Sequence, residues 1–211
     1  MPSPAKTTDT QIIAAARKLV ERRGRDGFSM KDVAAAVGIR APSLYSRFAH
    51  RAQILASVEI EYWRQLEREL ARARTAGDPA DALAAQARAY RAFAKAHPQG
   101  YGLMFDARAE RTEEGTSARA GALAPTLPGF AALVAGGDAG DHARTLLAAR
   151  VLTPFLHGFV SMELVGAFRL GGGLDEAFEY GVATILAGLR ETGSHRTTRR
   201  RRRRHSRDVA H

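Results

Sequence analysis

The chain has 211 residues and no cysteine, which excludes disulfides, thiolate catalysis and cysteine-ligated zinc. Apolar residues make up 45% of it, enough for a substantial core, yet no run of eighteen uncharged apolar residues is present to form a membrane span. The net charge of +10 is unevenly held: residues 1–51 carry +6, residues 52–192 carry −3 and residues 193–211 carry +7. Such asymmetry suits a nucleic-acid reader joined to a body that binds something else. The opening MPSPAKTTDT lacks the apolar block of a signal peptide, so a cytoplasmic location is expected.

Taken in order, Thr8 or Asp9 is placed to cap a first helix running to about Arg23, with Ile12, Ile13, Ala16, Leu19 and Val20 at helical spacing. Gly24 closes it and Phe28 plugs the junction that follows. Ser29 and Asp32, three apart, have the spacing of a capping box. Val33, Ala34 and Val37 then keep one helical face apolar, and Gly38 supplies the conformation that stops the helix. Pro42 fits the first turn of another helix, whose apolar face is Leu44 and Phe48. Two short helices around a Gly-containing turn, the second presenting small and basic side chains, read as a helix-turn-helix.

A fourth helix is expected from about His50 to Arg74, apolar in its first half and charged on most faces in its second. Asp78-Pro79 restarts the chain as a helix over 79–96, and Tyr101, Met104 and Phe105 begin a short one. Residues 106–127 show no clear period. A helix resumes near Pro128, and Gly136-Gly137-Asp138 ends it. Residues 141–168 and 174–190 are long helices apolar on more than one face, separated by three glycines. Residues 193–211 include six consecutive arginines at 199–204 and are expected to be a disordered, self-repelling tail.

The stretch 24–55 resembles the DNA-binding domain of the TetR family of bacterial transcriptional regulators. That family carries S/T-x-x-x-[VI]-A-x-x-x-G-[VI], then L-Y-x-x-F, then a basic residue before two aliphatics. Ser29, Val33, Ala34, Gly38, Ile39, Leu44, Tyr45, Phe48, Arg51, Ile54 and Leu55 occupy those positions together. Arg40 stands where the family often has a small capping residue, and Arg51 replaces the more usual Lys. The segment 155–163, with His157-Gly158, also resembles a His-Gly motif of one C-terminal subfamily.

The resemblance implies an all-α protein. Residues 1–51 are expected to form a three-helix DNA-binding domain and residues 52–192 a helical effector-binding and dimerisation domain, while residues 193–211 form an arginine-rich tail that family members generally lack. It implies a homodimer through the last two long helices, a palindromic double-stranded operator, repression as the usual mode, and release by a small molecule. The expected DNA contacts are Ser29 and the helix start at Arg40, Ala41 and Pro42, with Ser43, Tyr45, Arg47, His50 and Arg51. Ser29 is at the same time a helix cap, and Tyr45 equally a packing residue. Candidate effector-pocket residues are Phe93, Tyr101, Met104, Phe105, Phe155, His157 and Met162, whose ordinary role at helical spacing is core; an apolar lining points to a hydrophobic or aromatic effector. No cofactor and no metal site is expected.

Two rivals come from other classes. A helical enzyme lacks support: no G-x-S-x-G, P-loop, H-E-x-x-H or paired carboxylate–histidine helices are present. A general polyanion binder driven by the arginine tail predicts weak sequence preference and binding that depends on residues 193–211.

Overall fold

The computed structural model describes residues 7–134 and 142–208, the stretch from 193 onward by backbone alone. Among the described residues it is all helical, with ten α-helices and one 3-10 turn. Contacts divide the chain into two compact units. Unit 1 is Met1–Arg68 with Phe93–Ala122, and unit 2 is Glu69–Ala92 with Leu123–His211. The boundary expected at residue 51 falls inside unit 1.

Unit 1 begins with α1 (Asp9–Arg23), capped reciprocally by Thr8 and Gln11, with Ile12, Ala16, Leu19 and Val20 buried. Gly24 ends it at φ 72°, a backbone conformation that favours glycine. Ser29 caps α2 (Met30–Ala36), and its backbone N–H donates to Asp32 Oδ2 at 2.7 Å. At the other end Ile39 N donates to Ala34 O and Gly38 N to Ala35 O, with Gly38 at φ 72°. That pair of bonds is a Schellman closure. Helix α3 (Ala41–Tyr45) is anchored by Leu44, which is fully buried.

Helix α4 (Arg51–Arg72) starts where His50 Nδ1 accepts from Gln53 N. Ile54, Val58, Tyr62 and Leu66 are buried along it, and so is Leu70. Its second half is thus amphipathic rather than charged all round, because Leu66 and Leu70, four apart, keep one stripe inside. Helix α5 (Pro79–Ala96) leads to α6 (Pro98–Met104), which packs on α1. Gly100 lies flat against the Tyr62 ring, where a Cβ would come within 2.2 Å of ring carbon. Tyr62 in turn donates to Glu21 Oε1 at 2.6 Å, tying α4 to α1. Residues 106–127, without a sequence period, contain α7 (Glu113–Ala122) and the 3-10 turn Ala124–Thr126. Arg119 of α7 donates to buried Glu59 and to Met104 O, so a specific ion pair rather than an apolar stripe seats this helix.

Unit 2 packs α8 (Leu127–Val134), α9 (His142–Leu164) and α10 (Leu174–Asp208) on one another. The Gly136–Asp138 stop expected from sequence lies outside the described residues. Phe155 of α9 rests on Gly181 of α10, where a Cβ would sit 2.3 Å from the ring. Arg91 of α5 makes a two-pronged pair with Glu163, both bonds 2.7 Å, and reaches Asp175 at 2.7 Å. Its guanidinium also lies over Phe178 at 4.9 Å. By length and composition α9 would suffice to cross a membrane, although Arg144 and Arg150 break its apolar run. The backbone of residues 193–208, expected to be disordered, continues α10 as helix to Asp208. Arginine is a good helix former and no proline follows Leu174.

Candidate nucleic-acid interface

The helix-turn-helix forms because each of its ends is locally determined. Ser29 Oγ accepts from Asp32 N at 3.3 Å and donates to Asp32 Oδ2 at 2.6 Å. Those bonds, the hydroxyl's above all, hold the Asp32 carboxyl below the usual carboxylate range, with Arg23 adding to the effect. Lys31, in the first turn of α2, is exposed beside this cap. Sequence reasoning passed it over, although a basic residue next to a capping hydroxyl was a readable signal.

Helix α3 is built differently. Its N-cap residue, Arg40, makes no side-chain cap bond, as the departure from the family pattern implied. Arg40, Pro42, Ser43 and Tyr45 are exposed, Tyr45 at 50%, while Ala41 is half-buried. Four of the five therefore present their side chains outward, from a helix start where Pro42 has no N–H and Ser43 N already donates to Arg40 O.

The remaining three expected contacts are engaged within the protein. Arg47 Nε pairs with Asp9 at 2.6 Å and its guanidinium donates to Thr7 O, so it fastens the end of the motif to the start of α1. His50 is exposed but spends Nδ1 on the α4 cap. Arg51 donates to Arg25 O and to Asp26 Oδ1 at 3.0 Å, and lies 5.1 Å from the Phe28 ring centroid. It braces the turn between α1 and α2 in this conformation.

That turn is held by a network that sequence reasoning did not assemble. Arg25 pairs with Asp106 at 2.5 Å and donates to Arg108 O, and Arg108 pairs with Asp106 at 3.0 Å and reaches Asp26 at 3.5 Å. The Arg108 bond, with help from Arg25, lowers the Asp106 carboxyl to about 2. Asp26 is lowered chiefly by its bond to Arg51. Partners eighty residues apart leave no local pattern to read.

The expected effector residues divide between the two units. Phe93, Tyr101, Met104 and Phe105 belong to unit 1, whereas Phe155, His157 and Met162 belong to unit 2. Phe93 stands edge-on to Tyr62 at 6.5 Å, and Tyr101 and Met104 are buried. Phe105 packs edge-on to Trp63 at 5.3 Å and is partly exposed. Phe155 lies among Phe159 and Phe178, His157 is half-buried with its pKa lowered by that burial, and Met162 is 47% exposed. Aromatic residues at helical spacing went to two cores, as apolar burial favours.

A capped helix-turn-helix with an outward second helix, on an all-helical body, defines the class of helix-turn-helix DNA-binding regulators. Residues 12–58 match the family described as bacterial regulatory proteins, tetR family, and residues 83–185 match the tetracyclin repressor-like C-terminal domain. The chain belongs to the TetR family of transcriptional regulators. It is 29% identical over 91% of its length to the uncharacterized HTH-type transcriptional regulator Rv0681 of Mycobacterium tuberculosis, covering 86% of that protein. It is 25% identical to YobS of Bacillus subtilis, an uncharacterized HTH-type transcriptional regulator, over 86% of this chain and 92% of that one. Among solved structures, a TetR variant from Acinetobacter baumannii AYE in complex with minocycline matches at TM-score 0.64 and 21% identity, over 90% of this chain and 99% of that chain. A Rhodococcus protein of unknown function matches at TM-score 0.70 and 25% identity, with the same coverage. The named relatives are transcriptional regulators, which sets the enzyme alternative aside.

Proposed function

We propose that the protein is a cytoplasmic homodimeric repressor that reads a palindromic operator and is released from it by a small apolar or aromatic effector. The observation that carries this reading is the exposed start of α3, with Arg40, Ser43 and Tyr45 free to reach base edges and phosphate. An arginine there is suited to guanine O6 and N7, and the Ala41 methyl to thymine. Arg51 is a phosphate contact only if DNA draws it away from Asp26.

Dimerisation is supported by what α9 and α10 leave uncovered. Leu147, Val151 and Met162 are exposed on α9 at spacings of four and eleven residues, which keep them on one face, and exposed Val165 follows just past its end. On α10 the exposed positions include the small residues Ala177, Thr184 and Gly188, which allow close approach by a second copy. A dimer so formed places two α3 helices on successive grooves, and an effector acts by favouring a spacing that no longer fits.

Operator selection from random DNA tests the reading, comparing the full chain with one ending at Glu191. One palindrome enriched by both supports a sequence-specific dimer. Salt-sensitive binding without enrichment, present only with the tail, overturns it in favour of a general polyanion binder.

A further inference from the structure

Arg51 is the first residue of α4, and its guanidinium is engaged inside the protein on acceptors that leave it incompletely satisfied. It donates to Arg25 O and to Asp26 Oδ1, the latter at 3.0 Å, and lies over the Phe28 ring. Its Nε is buried without a hydrogen-bond partner among the described residues. A buried cationic N–H left open is unfavourable, so this seat does not use the full donor capacity of the side chain. Asp26 stands in the opposite position. Besides Arg51 it has Arg25 Nε at 3.8 Å and Arg108 at 3.5 Å, and its side chain is 64% exposed. A solvated carboxylate with three guanidinium neighbours loses little when one of them leaves. Asp106 holds the other two, Arg25 at 2.5 Å and Arg108 at 3.0 Å, so they stay beside Asp26 when Arg51 moves.

We infer that Asp26 is a positioning residue that competes with DNA phosphate for Arg51 and so holds down the affinity for double-stranded DNA. The inference rests on the DNA-binding regulator proposed above and adds a residue that sets how tightly it binds. A carboxylate and a phosphate diester offer the guanidinium fork the same kind of anionic oxygen. Binding DNA therefore exchanges one anion for another at Arg51, and the net gain is the difference between the two rather than the whole phosphate contact. The other acidic residue of the motif, Asp32, enters no such exchange. It is committed to the Ser29 cap and pairs with Arg23.

Fluorescence anisotropy of the full chain on the operator selected as above, over a salt series, provides the test, beside thermal melts of the free protein. Asp26→Asn keeps the side-chain shape and removes the competing charge. It is expected to tighten operator binding about two- to tenfold, a gain that shrinks as salt rises. The free variant should melt at the wild-type temperature or below it, so stability and affinity do not move together. Arg51→Gln removes the contested cation and should weaken binding, and adding Asp26→Asn to it should change nothing further. Unchanged or weaker binding by Asp26→Asn overturns the inference and leaves Asp26 as part of the frame. Equal tightening with and without Arg51 also overturns it, since that reports only one negative charge fewer beside DNA. Either result on a selected operator leaves the regulator standing without the competition. Failure to select any operator removes the regulator, and the inference with it.

Discussion

Helices α2 and α3 are neighbours of similar length with opposite use of their polar groups. Helix α2 satisfies itself at both ends, through the Ser29–Asp32 box and the Schellman closure at Gly38. Helix α3 has no side-chain cap and a single fully buried anchor, Leu44, and its other side chains but Ala41 face outward. The contrast separates holding from reading: groups spent on internal hydrogen bonds fix the frame, and groups left open are available to another molecule.

The strongest way to break this division is to remove α3's anchor. Leu44→Ala deletes a fully buried side chain and should cost about 2–5 kcal/mol in chemical denaturation, with loss of DNA binding. Arg40→Ser acts on reading alone and in the opposite sense on stability. It supplies the missing N-cap, so the melting temperature should hold or rise, a gain of about 0.5–1 kcal/mol, while operator affinity falls by about 1–3 kcal/mol. A drop in both would return Arg40 to the frame. Ser29→Ala should cost about 1 kcal/mol at neutral pH. The Asp32 carboxyl is lowered in the folded state, so its contribution is complete above the ordinary value of 3.8 and disappears as pH falls through the lowered one. The stability gap between wild type and Ser29→Ala, followed by thermal melts, should therefore narrow on acidification below about pH 4.

The same division explains what could be read in advance. Caps and stops act within four residues, so Thr8, Ser29, Gly38 and the break at Asp78-Pro79 announced the start of α1, both ends of α2 and the start of α5 directly in the sequence. Arg51 has the position of a DNA contact in the family motif, yet the chain turns it onto Asp26 and the carbonyl of Arg25. Nothing within its own helix signals that preference. Helix α7 was missed because an ion pair sixty residues long in sequence, Arg119 to Glu59, seats it without a periodic apolar face. The aromatic candidates for the effector site were drawn by size and hydrophobicity, properties shared by every core residue. Gln86, buried in unit 2, looked like any polar residue on a helix. Its meaning depends on two carbonyls, those of Leu70 and Pro125, that only the fold brings to it.

Gly100 against Tyr62 and Gly181 beneath Phe155 carry a consequence for how this lineage can drift. Each position admits a hydrogen and nothing larger, since even a methyl group would overlap ring carbon. Gly102, two residues from the first, meets nothing within 4 Å. Over long divergence the first pair should stay glycine as long as their aromatic partners stay aromatic, and an exchange at either should arrive only together with a smaller residue at 62 or 155. Gly102 is free to wander alone. Tight spots of this kind make two distant columns of an ancestry change in step.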